Sequence, residues 1–513
     1  MLRTRHLVGF CGHRSRFSEA AVRPALTTAL KELQQRSAEA GGGIELYVSA
    51  AEGTDVVCIE AARELGIPVH VLLPLAEGEF EKDFSSPATW ARSKAQMDRA
   101  AAVPGPDSLR TVEGESTRPE CYFNQGIAML EAVDVLIAVW DGQPPRGSGG
   151  TAQMIAQARA MGLPVLHIQP ADGMAVKDAG FDEAIGRDAI LDELNGIANA
   201  AGGGGMQEAG TPDDLQQRLD EIAMNEAEKL RPSLVRIILI HGVAAVLAAL
   251  VTFKMMDKQA LWEKYKWVVS LTELALVCVA LWMNFLLRHR QVRDRWLRCR
   301  FACELVRGLR ASVPIMDPLH PAISWLDGEW HRFALSAGLL VQSRHTHPSV
   351  VAQRDHYLST RLSDEHPDGQ IRHYTAMNPA TVRWWSFTGW LGDWCTRLAP
   401  PFVLASVLNK LSKIWRAPDG WGLENGFSTW LAVGFLPIAL PLMAGVFTSL
   451  RHALDAGRRK ERYPQMVQSL RELRASLQGL ETESTIRHTV ARCESILLDE
   501  LREWRAAASS SKR

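Results

Sequence analysis

Two patterns of apolar positions divide the chain. Up to about residue 198, short apolar runs alternate with amphipathic stretches, and "HLVGFCG", "ELYVSA", "PVHVLL", "VDVLIAVW" and "PVLHI" are the strand candidates. Runs apolar on both faces and separated by helices predict a doubly wound parallel α/β sheet. The stretch "NAAGGGGMQEAGTPDD" (199–214) then interrupts the pattern. Its consecutive glycines have no side chains to pack, so it reads as a linker, and Thr211 and Pro212 open the next helix as cap and first-turn residue.

Beyond the linker the apolar runs lengthen to membrane scale. Leu234 to Phe253 and Trp267 to Leu287 are each about twenty residues, enough at 1.5 Å per residue to cross a hydrocarbon core of about 30 Å. A short connection makes them a hairpin. A second pair is expected from a weaker run, Trp390 to Leu411, and a strong one, Trp430 to Leu450. The weaker member carries Asp393, Arg397, Pro400 and Pro401. The expected organisation is a sheet domain (1–198), linker and helix (199–232), first hairpin (233–288), cytosolic helical region (289–385), second hairpin (386–451) and C-terminal helices (452–513), with four transmembrane helices in all.

Charge sets the orientation. The runs "RHRQVRDRWLRCR" and "RHALDAGRRKER" follow the second and fourth expected spans, and the positive-inside rule places both on the cytoplasmic side. Four crossings then put the N-terminal domain and the C-terminus in the cytoplasm of a bacterial inner membrane. Basic residues near the N-terminus precede no long apolar region, so no signal peptide is expected. Lys plus Arg total 57 against 58 for Asp plus Glu, a balance that argues against a nucleic-acid partner held by bulk positive charge. The eight cysteines are scattered and read as reduced thiols. Neither they nor the His- and Trp-rich stretches "PLHPAISWLDGEWHRF" and "RHTHPSV" have metal-ligand spacing, so no metal is expected.

Candidate chemistry lies in three loops at the C-terminal ends of expected strands, where doubly wound sheets bind ligands. Gly12, His13 and Arg14 are placed to meet a phosphate or base. Gly53, Thr54 and Asp55 open the next helix, with Asp55 positioned to accept from a ribose hydroxyl. Asp141 and Gly142 lead into "RGSGGTAQMIAQA", where Gly149, Gly150 and Thr151 form a phosphate cradle at a helix N-terminus. The plainer alternative is that these glycines only make turns and the threonines only cap helices.

"GHR" after the first strand, "SAAEGTDVVCIEAARELGIPVHVLLP", and "DVLIAVWDG" followed by "GSGGTAQMIAQARAMGLPVLHI" resemble the SLOG superfamily, the Rossmann-like fold shared by the LOG cytokinin-activating enzymes and nucleotide-sensing domains. LOG enzymes cleave a base from a nucleoside monophosphate through a "PGGxGTxxE" motif. Three residues after Thr151 this chain has Met154, with Gln153 beside it, so the carboxylate of that motif is missing and catalytic residues are assigned to none. The hairpin 234–287, "RDRWLRCRFACELVRGL", "HYLSTRLSDEHPDGQIRHY" and "CESILLDELREW" resemble the SLATT membrane effectors that accompany SLOG domains. The resemblance implies a prokaryotic antiviral or conflict system, in which a nucleotide-derived second messenger binds the first domain and a homo-oligomer permeabilises or depolarises the membrane. No further cofactor is implied. A membrane-tethered nucleotide hydrolase and a metabolite-sensing scaffold remain alternatives. Within the expected spans, Glu273, His241 and Asp393 are the gating candidates, because an ionisable group at depth costs about 2.5–3.5 kcal/mol unless it meets a partner or water.

Overall fold

A computed structural model describes residues 2–102, 106–112, 117–144, 149–200, 210–251, 260–316, 328–343, 349–414, 430–453 and 456–510. The glycines at 202–205, Arg146 to Ser148 of the cradle loop, the connection 252–259, and most of the two His- and Trp-rich stretches lie outside them.

The sheet region runs β1 (Thr4–Gly12), α1 (Glu19–Glu39), β2 (Gly42–Val48), α2 (Thr54–Glu64), β3 (Val69–Leu73), α3 (Glu77–Phe80), α4 (Pro87–Ala100), β4 (Ser108–Thr111), α5 (Arg118–Ala132), β5 (Val135–Val139), α6 (Thr151–Ala160), β6 (Val165–Ile168), β7 (Ala175–Lys177) and α7 (Ala189–Ala200). All five expected strands form, in the order β4-β3-β2-β1-β5-β6-β7. Six are parallel and β7 is antiparallel to β6. The edge strands β4 and β7 were not expected. "SLRT" and "AVK" carry no apolar run, because neither has a fully buried position to fill.

Both faces of the sheet are covered, as a parallel sheet requires. Val8 and Phe10 of β1 point into one core with Val22, Leu26, Leu30 and Leu33 of α1 and Val57 and Ala61 of α2. Leu7, Tyr47 and Leu136 point into the other, with Met129 and Leu130 of α5 and Met154, Ile155 and Ala158 of α6. Each fully buried Leu, Ile or Val side chain contributes about 1.5–3 kcal/mol.

The remaining helices are α8 (Pro212–Val251), α9 (Ala260–His289), α10 (Val292–Met316), α11 (Gly328–Gln342), α12 (Val350–Thr360), α13 (Gln370–Ile414), α14 (Leu436–Ala453), α15 (Ala456–Gln478) and α16 (Glu483–Ser510). Thr211 caps α8 as expected: its hydroxyl accepts from the Asp214 amide at 3.1 Å while Asp214 accepts from the Thr211 amide at 3.1 Å. The chain divides into two compact units, Met1–Leu219 with Ala302–Gln353 and Glu481–Glu503, and Asp220–Phe301 with Arg354–Leu480 and Trp504–Arg513. The boundaries at Leu219 and Ala302 fall inside α8 and α10.

The first unit therefore recruits helices from far along the chain. Leu335 and Leu339 of α11 complete the second sheet core, the Arg5 amide donates to the Ser336 hydroxyl at 3.0 Å, and Arg332 pairs with Asp134 at 3.0 Å. In the second unit α13 lies along α14, with Gly392 facing Phe447. Among the described residues three helical stretches, not four, are long and apolar enough to cross a membrane: Pro212–Leu250, Trp267–His289 and Leu431–Arg451. The stretch 390–411 is helical within α13, but Asp393, Arg397 and Lys410, with Pro400 and Pro401, lower its apolar content. An even number of crossings was the reason to place both termini on one side, and a count of three removes it.

Candidate functional site

β1 sits at the centre of the sheet. From it the chain winds outward through β2, β3 and β4, then returns along α5 to place β5 on the other flank of β1. The gap between β1 and β5 is thus a topological switch point, where the loops at the strand C-termini diverge and leave a crevice. A cleft of about 280 Å³ opens there. The loops after β1, β2 and β5 line it with Gly12, His13, Arg14, Asp55, Asp141, Gly149, Gly150 and Thr151, while Gly53, Thr54 and Gly142 do not.

The three absentees are explained locally. The Thr54 hydroxyl and amide both donate to the His13 carbonyl, at 3.0 and 3.1 Å, so this residue fastens the β1 loop to the start of α2. Gly53, with φ +101°, passes close to the β1 loop backbone: a Cβ there would lie 2.4 Å from the Arg14 carbonyl oxygen. At Gly12, which does line the cleft, a Cβ would lie 2.1 Å from the Thr54 hydroxyl oxygen. Gly142 adopts φ +76° in the open turn that Asp141 Oδ1 stabilises by accepting from the Gln143 amide at 3.0 Å.

His13 bridges two of the loops. The Asp141 amide donates to its Nε2 at 3.0 Å. Asp141 Oδ1 is 3.4 Å from the same nitrogen. Arg14 is exposed, its guanidinium 5.0 Å above the Tyr122 ring, and the Tyr122 hydroxyl donates to Asp83. Burial and that bond raise the Tyr122 hydroxyl to about 12, so it stays protonated.

At α6, the Gln153 side chain reaches back to accept from the Gly149 amide at 2.7 Å. The Thr151 and Ala152 amides, both at the cleft, donate to no described residue. With the positive end of the helix dipole and the exposed Arg14 charge they make this part of the cleft electropositive. Met154 is 3% exposed, and its sulfur packs against Gly126 of α5.

Asp55 is a perturbed carboxyl. Its Oδ2 accepts from the Ser49 hydroxyl at 2.5 Å and from the Ala51 amide at 3.2 Å. Burial drives its carboxyl up to about 6, against those two bonds and the Arg14 charge. Burial, and then Asp55, also raise the neighbouring Cys11 thiol, which stays protonated. Because the folded-state value exceeds the ordinary one, the native state binds the extra proton between about pH 4 and 6. The group's contribution to stability therefore falls as pH rises through that window. An Asp55→Asn variant keeps an acceptor for Ser49 and Ala51. It is expected to gain on the order of 1–3 kcal/mol over wild type at pH 8 and nothing near pH 4, read as a difference in thermal midpoint at the two pH values. A pH-independent difference contradicts this.

Compared with known families and with curated proteins, the chain matches none. The geometry of the cleft therefore has to carry the functional reading. Sequence reasoning missed what α5 contributes: Tyr122, Gln125, Gly126 and Met129, spaced i, i+3, i+4 and i+7, form one wall. The available signal was Gln125, a polar residue on an otherwise apolar stripe.

The gating candidates fall in the second unit. His241 is exposed, with Nδ1 2.8 Å from the Ile237 carbonyl one turn earlier in α8. Glu273 is half-buried in α9 and Asp393 is exposed on α13. No hydrogen bond or ion pair joins the three. Among the described residues, no cluster of three or more His, Cys, Asp or Glu is arranged to hold a metal.

Proposed function

We infer that the protein is a ligand-gated membrane effector: a nucleotide-derived anion binds the cleft and shifts the apolar helices from a closed to a conducting arrangement within a homo-oligomer. The observation that carries this reading is the convergence of the loops after β1, β2 and β5 on one switch-point cleft, in a chain that also holds three helices of membrane-spanning length. Thr151, Ala152 and Arg14 supply the anion site, while Tyr122 and Trp140 offer aromatic surface to a base. This agrees with the SLOG-like motifs and with a SLATT-like role in prokaryotic defence.

Binding rather than turnover fits Met154, which can neither polarise a hydroxyl nor stabilise an oxocarbenium ion. The helices α8 and α10 each contribute residues to both units, and a change at the sheet domain is expected to reach the membrane helices through them. Moving a gate from 1:99 to 99:1 takes about 5.5 kcal/mol of differential binding, a modest demand per subunit when several share it. The basic flank that begins at Arg288 orients the sheet domain toward the cytoplasm of a bacterial inner membrane. Glu273, unpaired within the described residues, is the leading gate residue.

A membrane-tethered nucleotide hydrolase is the second reading, favoured by Asp55, a buried carboxyl with a value near 6 in the cleft. One experiment separates the two. Calorimetry on the detergent-solubilised full chain with cyclic nucleotides and ADP-ribose, followed by chromatography of the recovered ligand, is expected to show saturable binding and intact nucleotide. Release of free base would replace the effector reading with the hydrolase.

A further inference from the structure

The wall of the cleft holds a polar group that no described residue uses. Gln125 lies on α5 between Tyr122 and Met129, is 6% exposed, and lines the cleft. Its carboxamide makes no hydrogen bond to any described residue. The residue is more than nine-tenths buried, yet its amide atoms stay reachable from the cleft, so a donor and an acceptor face whatever enters, and a ligand that covers them without bonding to them forfeits about 1–3 kcal/mol. Its surroundings narrow the choice of ligand. Phe10, Met129 and Met154 on the same lining are buried and apolar, Asp55 is buried but already accepts from Ser49 and Ala51, and Arg14 is exposed. Of the two buried polar side chains on the lining, Asp55 and Gln125, only Gln125 makes no bond to a described residue, while the Arg14 cation is exposed.

We propose that Gln125 is the specificity-determining residue of the cleft. Its amide N–H donates to, and its carbonyl oxygen accepts from, a ligand edge that carries one acceptor beside one donor, as a nucleobase does, while the ligand's phosphate lies at the α6 N-terminus and Arg14. A primary amide is the side chain that meets such an edge with two parallel hydrogen bonds and no charge. The apolar neighbours suit the ring faces of a planar heterocycle, and a volume of about 280 Å³ suits one mononucleotide unit rather than an extended polymer.

This inference rests on the cleft being the ligand site proposed above, and its test separates the two. The probes are AMP, GMP, CMP and UMP, with ribose 5-phosphate as the base-free control, titrated against the detergent-solubilised full chain by calorimetry and ligand-observed NMR. The variants are Gln125→Ala and Gln125→Met, the second keeping volume and helix propensity so that a packing defect cannot imitate a lost amide. At least one nucleotide is expected to bind wild type more tightly than ribose 5-phosphate. Both variants are expected to lower that affinity by about 10- to 100-fold, toward the base-free level, and to leave ribose 5-phosphate unchanged. Nucleotide affinity unchanged in both variants, or ribose 5-phosphate weakened in parallel, overturns the role of Gln125 while the anion site stands. No binding of any probe to wild type overturns both.

Discussion

A Gly53→Ala variant is expected to lose about 3 kcal/mol or more and to melt roughly 6–12 °C below wild type, read by scanning fluorimetry of the full chain in detergent. Gly53 sits at φ +101° and ψ −129°, a region that only glycine occupies at low cost. The new Cβ would also lie 2.4 Å from the Arg14 carbonyl oxygen and 2.6 Å from that of His13. These are backbone atoms, so no side-chain rotation relieves the contact. The loops after β1 and β2 must separate, and with them go the Thr54 bonds to His13 and one wall of the cleft. An unchanged midpoint would mean that the two loops do not meet as described.

A Gly150→Glu variant is expected to keep the fold and lose ligand. Gly150 caps α6 at φ −76° and ψ 160°, extended backbone open to any residue, so the substitution brings no strain of its own. Its carboxylate competes for the positive helix end and for the Thr151 and Ala152 amides, and repels an incoming phosphate. The expected loss in nucleotide affinity is about 100-fold or more, with the thermal midpoint within about 2 °C of wild type. Gly150→Gln has nearly the same size without the charge and is expected to lose clearly less. Equal losses in the two variants would assign the effect to bulk and weaken the anion site.

Much of the sheet domain was legible in the sequence because its strands are buried on both faces and bounded by glycine loops. Those loops also exposed the cleft, since strand C-termini are where such sheets open. What escaped detection has physical reasons. The edge strands β4 and β7 have no fully buried position and thus no apolar signature. Leu335 and Leu339 of α11 look like any amphipathic helix, and nothing local says that their partner is a sheet two hundred residues earlier. Residues 390–411 combine apolar runs with Asp393, Arg397 and two prolines, and length alone overstated them as a span. Thr54 has the residue type and position of a ligand contact, yet its hydroxyl donates to the His13 carbonyl and does not line the cleft. Gln125 is chemically ordinary until its burial and its lack of partners among the described residues are known.

Ligand gating is tested most directly by ion flux through proteoliposomes that contain the full-length protein, with AMP, ADP-ribose and cyclic nucleotides added on the side of the sheet domain. At least one of them is expected to trigger flux, Gly150→Glu to abolish the response, and Glu273→Ala to alter the flux without changing nucleotide affinity. Membranes that stay sealed with every nucleotide that binds the cleft, or flux equal in wild type and Gly150→Glu, would contradict the gating mechanism.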